Sequence, residues 1–272
     1  MRFYQSKYMK KILLCNDDGV SSSGILAADK AVSSLGETII VGPSTQQSGI
    51  GHAITLFEPL RIKKLPLRNG KIGYAVSGTP TDAAIMGVFQ LCDEKPDLCI
   101  SGINIGYNLG KSELTTSGTL GAAMEVASYG IPTIAVSQTV DDQSAKFENG
   151  RINIDFDFAV KTLNKLAGYV MENGMPDGID LLNLNIPTNP VSDEINITRL
   201  TNRMFIPEVE TRYDPRGKPY YWIDSTITDN DKEGSDGYCI KKEHKVSLTP
   251  LSLDLTSDVS ETKKWADKIN KD

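Results

Sequence analysis

The sequence has few cysteines and lacks long apolar runs, and both shortages restrict what the protein can be. Its four cysteines (Cys15, Cys92, Cys99 and Cys239) form no CxxC pair in a chain of 272 residues. That pattern is typical of reduced thiols in a cytoplasmic protein and not of a disulfide framework. No apolar run reaches the roughly 18 residues that a membrane span requires. We therefore expect a cytoplasmic protein with no membrane partner.

The sequence also lacks a block of basic residues, and its 29 Lys and Arg are outnumbered by 35 Asp and Glu. The formal net charge is −6, so the sequence shows no electrostatic footprint for a phosphate backbone, and no nucleic-acid polymer is expected as a partner. An acidic protein that handles an anionic substrate must supply positive charge locally. A metal ion or the N-terminus of a helix can do this.

The first two-thirds of the chain alternates short apolar strands with helical patterns. Residues 12–14 form an apolar run that ends in a turn signal, and apolar residues then recur at helical spacing from Ile25 onward. Thr79 and Pro80 read as the cap and first residue of a later helix, with Asp82 in its first turn. This alternation predicts an α/β core over residues 9–194, with a mostly parallel sheet and helices on both faces.

The pattern changes at about Ile195. Short strands are predicted at 220–223, 238–240 and 246–248, separated by loops rich in Asp, Gly and Pro. The segment "DVSETKKWADKIN" predicts a terminal helix. We therefore predict that residues 195–272 form a β-rich extension with a C-terminal helix, suited to covering a site or joining subunits.

Oxygen-bearing side chains follow several of the predicted strands. Asn16, Asp17 and Asp18 follow the first strand, Ser48 follows the second and Asn104 follows "DLCIS". Ligands of an open parallel sheet bind beyond these carboxyl ends. Two carboxylates, a hydroxyl and an amide carbonyl would make an all-oxygen shell that selects Mg²⁺, Mn²⁺ or Ca²⁺. The simpler alternative is that Asn-Asp-Asp-Gly forms only a turn.

Two glycine-rich segments can approach an anion. "SGINIGYNLG" contains Asn108, and "TTSGTLGAA" opens a helix at Ser117, Gly118 and Thr119. Exposed N–H groups at a helix start bind phosphate, and the two hydroxyls lie close by in sequence. Each segment alone is explained by a turn, but together on one edge they predict a phosphate site beside a metal. His52 could orient a ligand, although a structural histidine explains it as well.

Several long motifs occur together in one order along almost the whole chain. They are "ILLCNDDGV", "QQSGIGHAITLFEPLR", "YAVSGTPTD", "PDLCISGINIGYNLG", "SGTLGAAMEVASYGIPTIAVS" and "LLNLNIP", followed by "DPRGKPYYWI" and "VSLTPLSLDLT". In these motifs the sequence resembles the SurE family of metal-dependent 5′/3′-nucleotidases. The resemblance implies a Rossmann-like core, metal ligands at Asp17, Asp18, Ser48 and Asn104, and an exchanged C-terminal extension in a homodimer or homotetramer.

Three positions depart from the usual pattern of that family. Cys15 stands where a threonine is usual, Ser21 stands where a histidine is frequent, and "TTSGT" lacks the usual aromatic residue before Ser-Gly-Thr. None of these departures touches the four implied ligands. They concern the surroundings of the metal and the entrance to the site.

The resulting hypothesis is hydrolysis of nucleoside 5′-monophosphates, with 3′-monophosphates and short polyphosphate as further candidate substrates. One Mg²⁺ or Mn²⁺ per subunit would bind a phosphate oxygen, while Asn108 and residues 117–119 hold the others. Asp17 and Asp18 are the predicted catalytic residues, with Asp17 as the activator of the nucleophile. Attack by water and a covalent aspartyl-phosphate both stay open.

Two functions of other classes compete with this hypothesis. A nucleotide sensor would use the same groups without turnover, although vacant metal positions favour an enzyme. A dinucleotide-dependent dehydrogenase is disfavoured, because the first strand is followed by Asn-Asp-Asp-Gly and not by Gly-x-Gly-x-x-Gly.

Overall fold

A nine-stranded sheet forms the centre of the protein. The structure is a computed structural model that describes residues 9–140 and 154–270. The strands of the sheet run in the order β3-β4-β2-β1-β5-β6-β7-β11-β8. They are β1 (Lys11–Cys15), β2 (Glu37–Pro43), β3 (Ile62–Pro66), β4 (Ile72–Val76), β5 (Leu98–Ile105), β6 (Thr133–Gln138), β7 (Leu181–Ile186), β8 (Ile195–Ile197) and β11 (Val246–Leu251). The neighbours from β4 to β7 are all parallel, whereas β3 and β11 pair antiparallel with β4 and β7. The predicted α/β fold with a mostly parallel sheet is confirmed.

Helices cover both faces of this sheet. They are α1 (Ser23–Val32), α2 (Pro80–Met86), α3 (Glu113–Thr116), α4 (Gly118–Ser128), α5 (Asp157–Asn173), α6 (Asp236–Lys241) and α7 (Val259–Ile269). The helices α1 and α5 pack in one buried apolar cluster, and α2 and α4 pack in another. The strands between them are apolar on both faces because each face is covered. In the described ranges, no helix combines the length and the apolar character needed to cross a membrane.

The first strand occupies the position where the order of the strands reverses. β1 pairs with β2 on one side and with β5 on the other. A crevice opens at such a point beyond the carboxyl ends of the strands. The residues that follow β1, β2 and β5 therefore meet at one edge of the sheet.

The start of α2 matches its sequence signal. The Thr79 hydroxyl accepts a hydrogen bond from the Asp82 N–H at 3.0 Å, and the Asp82 carboxylate accepts one from the Thr79 N–H at 2.8 Å. This reciprocal pair satisfies N–H groups that the helix itself leaves unbonded. The predicted cap at Thr79, with Pro80 as first helical residue, is confirmed.

The C-terminal extension contributes to more than one part of the structure. β8 and β11 continue the main sheet beside β7, whereas β9 (Phe205–Tyr213) and β10 (Pro219–Ile227) form a separate antiparallel pair. The strand predicted at 238–240 is wrong, since those residues lie in α6. Ser235 caps this helix by accepting the Tyr238 N–H at 3.3 Å. Three apolar residues in a row do not distinguish a strand from one face of a short helix. The boundary between 194 and 195 stays a prediction.

Candidate active site

In the turn after β1, one amide side chain bonds within the turn, whereas two carboxylates bond to other elements. Asn16 makes the turn: its Nδ2 donates to the Gly19 carbonyl at 3.0 Å and to the Ser22 hydroxyl at 2.7 Å. Gly19 has a φ of +97°, which a residue without a Cβ adopts readily. The simpler alternative was that Asn-Asp-Asp-Gly forms only a turn. The side chain of Asn16 alone makes the hydrogen bonds within that turn. Asp17 and Asp18 are left to contact other elements.

Asp17 is buried against the start of α4. It is 3% exposed, and its Oδ1 accepts a hydrogen bond from Thr119 Oγ1 at 2.7 Å. Its main-chain carbonyl accepts the Gln47 N–H at 2.8 Å. A hydroxyl hydrogen bond orients a carboxylate without neutralising it, and a charged carboxylate is costly to bury. The position therefore favours a cation beside Asp17.

Asp18 joins the turn to the loop after β2 and to the end of β5. Gln46 Nε2 donates both to Asp18 Oδ1 at 3.2 Å and to Ser48 Oγ at 3.1 Å. The Ile105 N–H donates to Asp18 Oδ2 at 3.4 Å, directly after Asn104 in the chain. The four predicted metal ligands are thus brought to one edge by three strands that are neighbours in the sheet.

These residues fit a hard divalent cation. Two carboxylates, a hydroxyl and an amide oxygen are the donors that Mg²⁺ and Mn²⁺ prefer. In the part of the chain that the structure describes, no group of three or more His, Cys, Asp or Glu side chains is arranged to hold a metal. A site here would therefore combine two carboxylates with neutral oxygens. The ligand assignment itself stays a prediction.

The three residues predicted to bind phosphate at α4 lie next to Asp17. Ser117 caps the helix, since its Oγ accepts the Leu120 N–H at 3.1 Å. The Thr119 side chain is fully buried, and its hydroxyl donates a hydrogen bond to Asp17. A Cβ at Gly118 would lie 3.2 Å from Asp17 Oδ2, so the helix start approaches the carboxylate directly. The first N–H groups of α4 are not bonded within the helix, and phosphate binding there stays a prediction.

Asn108 is held by the strands beside it. Its Nδ2 donates to Ser137 Oγ at 2.8 Å, and its N–H donates to Asn185 Oδ1 at 3.3 Å. Its carbonyl accepts the side-chain amides of Asn183 at 2.9 Å and Asn185 at 3.1 Å. These bonds fix the loop after β5 to β6 and β7. Its predicted phosphate contact is untested, whereas the structure establishes that it anchors the loop.

His52 belongs to a hydrogen-bond network that joins its loop to α4. Its Nε2 lies 2.7 Å from Glu125 Oε2 on α4, and Glu125 also accepts a hydrogen bond from the Tyr129 hydroxyl. Burial, followed by the hydrogen bond to Glu125, raises the pKa of Tyr129, so that hydroxyl stays protonated. The Gly51 N–H donates to the Thr116 carbonyl at 2.9 Å. Together these contacts hold the loop that carries Ser48 against α4.

The extension supports the site through Asp236. Its carboxylate accepts the N–H groups of Gly110 at 2.8 Å, Thr201 at 2.7 Å and Gly237 at 2.8 Å. Burial raises the pKa of Asp236, and these N–H donors oppose that rise. A residue in α6 therefore anchors the end of the glycine-rich loop that follows β5. No local pattern predicts this contact, because 126 residues separate its partners.

Sequence reasoning missed four other supporting residues, which are Gln46 as a bridge, Glu125, Asn183 and Asn185. Asparagines at alternate positions of the apolar strand "LLNLNIP" were an available signal. Buried amides require hydrogen-bond partners, and in a parallel sheet those partners come from neighbouring connections. The identity of the partner could not be read from the sequence.

Comparison with known proteins gives consistent matches over nearly the whole chain. The model of the family described as survival protein SurE matches residues 12–206. The 5′-nucleotidase SurE of Methanobrevibacter smithii is 56% identical over 94% of this chain and 99% of its own. That of Methanothermobacter thermautotrophicus is 58% identical over 88% of this chain and 90% of its own. The crystal structure of the SurE protein from Aquifex aeolicus superposes with a TM-score of 0.75 at 38% identity, covering 94% and 99% of the two chains.

Proposed function

Since the chain belongs to the SurE family of metal-dependent nucleotidases, we propose that it hydrolyses nucleoside 5′-monophosphates to nucleoside and phosphate. The observation that carries the proposal is the pair of carboxylates at the end of β1. Asp17 is buried against Thr119 of α4, and Asp18 is linked through Gln46 to Ser48. 3′-Monophosphates and short polyphosphate are the further candidate substrates.

Separate residues would bind the metal, orient Asp17, accept a proton and bind the phosphate. Asp17, Asp18, Ser48 and Asn104 would hold one Mg²⁺ or Mn²⁺ per subunit, and the bound cation would offset phosphate charge and acidify a water molecule. Thr119 fixes the plane of the Asp17 carboxylate through Oδ1. Oriented in this way, Asp17 can take a proton from the attacking water as the bond from phosphorus to the ester oxygen breaks. The same proton can then pass to the departing oxygen, which becomes a hydroxyl of the nucleoside. The first N–H groups of α4 stabilise the charge that develops on the phosphate oxygens.

The test is phosphate release from a panel of 5′- and 3′-nucleoside monophosphates. We expect release with Mn²⁺ or Mg²⁺ and its loss when EDTA removes the metal, with recovery when the metal is restored. A folded protein that binds these nucleotides but releases no phosphate with either metal would contradict the proposal and indicate a nucleotide sensor. The same panel ranks the bases and separates the 5′ from the 3′ position.

We also propose that the protein acts in the cytoplasm as a homodimer or homotetramer. Cys15, Cys99 and the other two cysteines are unpaired, which supports a reducing compartment. The β9–β10 pair exposes large apolar side chains, with Trp222 57% and Ile223 82% exposed. The helix α7 buries none of its residues within the described chain. Surfaces of this kind are typical of subunit contacts.

The assembly is tested by light scattering after chromatography. Replacing both Trp222 and Ile223 by aspartate is expected to reduce the mass from that of an oligomer to that of a monomer, because charge disfavours burial at an apolar contact. Tyr169→Glu is the control, since Tyr169 is an exposed aromatic residue on α5, 66% accessible and far along the chain from the pair. A wild-type protein that is monomeric at micromolar concentration would overturn the assembly. An unchanged mass in the double variant would overturn the role of β9–β10.

A further inference from the structure

The predicted metal ligand Ser48 lies in an exposed part of its loop, between two anchored points. On one side, the Gln47 N–H donates to the Asp17 carbonyl at 2.8 Å. On the other side, the Gly51 N–H donates to the Thr116 carbonyl at 2.9 Å. Ser48 and the two residues after it are exposed. The main-chain position of Ser48 is therefore set by the anchors on either side of it.

The second anchor extends along one face of α4. A Cβ at Gly121 would lie 2.9 Å from His52 Cα, so the loop packs directly on the helix there. Gly118, three residues earlier, approaches Asp17, and Glu125, four residues later, lies on the same face of the helix. One face of α4 thus contacts both the turn that carries Asp17 and the loop that carries Ser48.

Glu125 holds the loop through His52. Its Oε2 lies 2.7 Å from His52 Nε2, and its Oε1 accepts the Tyr129 hydroxyl. The Tyr129 ring makes an edge contact with Phe89, with ring centroids 4.9 Å apart. The Glu125 side chain is 15% exposed, so salt screens the contact with His52 less than it would on an open surface. The carboxylate is fixed through both oxygens and presents one of them to the loop.

His52 is the first side chain after Ser48 that can hold the loop by a hydrogen bond. The three residues between them are Gly, Ile and Gly, which have no polar side chain. Beyond His52, the Ala53 carbonyl accepts the Thr79 hydroxyl at 2.6 Å, which ties the loop to the start of α2. The bond to Glu125 is therefore the side-chain anchor nearest to Ser48 on this side of the loop.

A neutral ligand such as Ser48 depends on being held in place. A hydroxyl gains less Coulomb attraction from a cation than a carboxylate does, and fixing a mobile segment costs conformational entropy. Groups that orient metal ligands without binding the metal change metal affinity by about 10–100-fold when they are removed. The contact between His52 and Glu125 is placed to act in this way.

We propose that Glu125 is a positioning residue of the metal site: through His52 it holds the loop of Ser48 against α4 and so raises the affinity for a divalent cation. The inference rests on the proposed nucleotidase function and on Ser48 as a metal ligand. It assigns a role in metal binding to a residue of α4 that is not among the four predicted ligands.

The test is Mn²⁺ binding without nucleotide, followed by the electron paramagnetic resonance signal of free aqueous Mn²⁺. Glu125→Ala and His52→Ala should each raise the Kd for Mn²⁺ by about tenfold. The double variant should show the same change as either single variant, because both substitutions remove one contact. Glu125→Gln should restore most of the affinity, since its amide can accept the His52 N–H and donate to the Tyr129 oxygen.

Two further measurements separate positioning from general damage. Glu172→Ala removes an exposed glutamate of α5 and should leave the Kd for Mn²⁺ unchanged. In EDTA, with no metal bound, hydrogen exchange at residues 48–52 should be faster in Glu125→Ala than in the wild type, while exchange in β1 and β5 stays the same. Slower or unchanged exchange in the loop would contradict the proposed anchor.

The remaining outcomes distinguish this inference from the proposed function. Unchanged Mn²⁺ affinity in both alanine variants, in a protein that releases phosphate from AMP, would overturn the positioning role and leave the nucleotidase standing. A Glu125→Gln variant as impaired as Glu125→Ala would show that charge and not the hydrogen bond matters, and would also overturn it. Mn²⁺ binding that depends on Glu125, in a protein that releases no phosphate from AMP, would instead overturn the proposed function.

Discussion

Asp17→Asn is expected to lower kcat by about 10³-fold at saturating Mn²⁺ while the fold is retained, the size of effect that loss of a base and metal ligand produces. The amide keeps the size of the side chain, and its oxygen can still accept the Thr119 hydrogen bond that Asp17 Oδ1 accepts at 2.7 Å. What is lost is the negative charge and the ability to take a proton. Phosphate release from AMP measures the effect, and circular dichroism with thermal unfolding verifies the fold.

Asp193→Asn is the matched control for this change. Asp193 is an exposed aspartate in the loop before β8, and the same substitution there should leave kcat within about twofold of wild type, as expected for surface changes. A folded Asp17→Asn protein that retains near wild-type turnover at saturating metal would sink the assignment of Asp17.

Gly118→Ala is expected to reduce both activity and stability. A Cβ at this position would lie 2.8 Å from Asp17 Cβ and 3.0 Å from Pro80 Cγ. Neither neighbour is the free end of a flexible chain, so α4 and the turn after β1 must separate. We expect kcat/KM to fall by about 10²-fold from misplacement of the carboxylate, and the free energy of unfolding to fall by about 1–3 kcal/mol from overpacking.

The same substitution at Gly168 should have the opposite effect on stability. Gly168 lies within α5, and an added Cβ would find its nearest neighbour, Leu35 Cδ2, at 3.8 Å. Alanine is favoured over glycine inside a helix by about 0.5–1 kcal/mol, so urea unfolding should show a small gain and kcat should not change. If Gly118→Ala showed wild-type kcat/KM and unfolding, the close approach of α4 to Asp17 would have no functional importance.

Much of the fold followed from local patterns. The cap at Thr79 predicted the start of α2 because a capping box is a local arrangement of four residues. The alternation of strands and helices predicted the parallel sheet, because connections between parallel strands are long and right-handed. The strand predicted at 238–240 failed for a related reason. Three apolar residues are too few to show the period of a strand or of a helix. These residues lie in α6, which Ser235 caps and which buries Cys239 and Ile240.

Less of the candidate site than of the fold could be predicted from the sequence. Residues that follow parallel strands converge on one edge, so Asp17, Asp18, Ser48 and Asn104 could be grouped before any contact was known. Their supports could not be found in this way. Thr119 was expected at the phosphate, yet its hydroxyl lies against Asp17, and Asn108 is tied to β6 and β7 by four hydrogen bonds through Ser137, Asn183 and Asn185.

By itself the sequence determined the family, the order of the elements and the chemistry of the oxygen donors, since each is written in short stretches of neighbouring residues. Only the tertiary structure decided which groups meet across the sheet. Asp236 accepts the Gly110 N–H from 126 positions away, and Asn183 of β7 donates to the Asn108 carbonyl from 75 positions away. Such contacts depend on strand order and packing, and a pattern of nearby residues does not specify either.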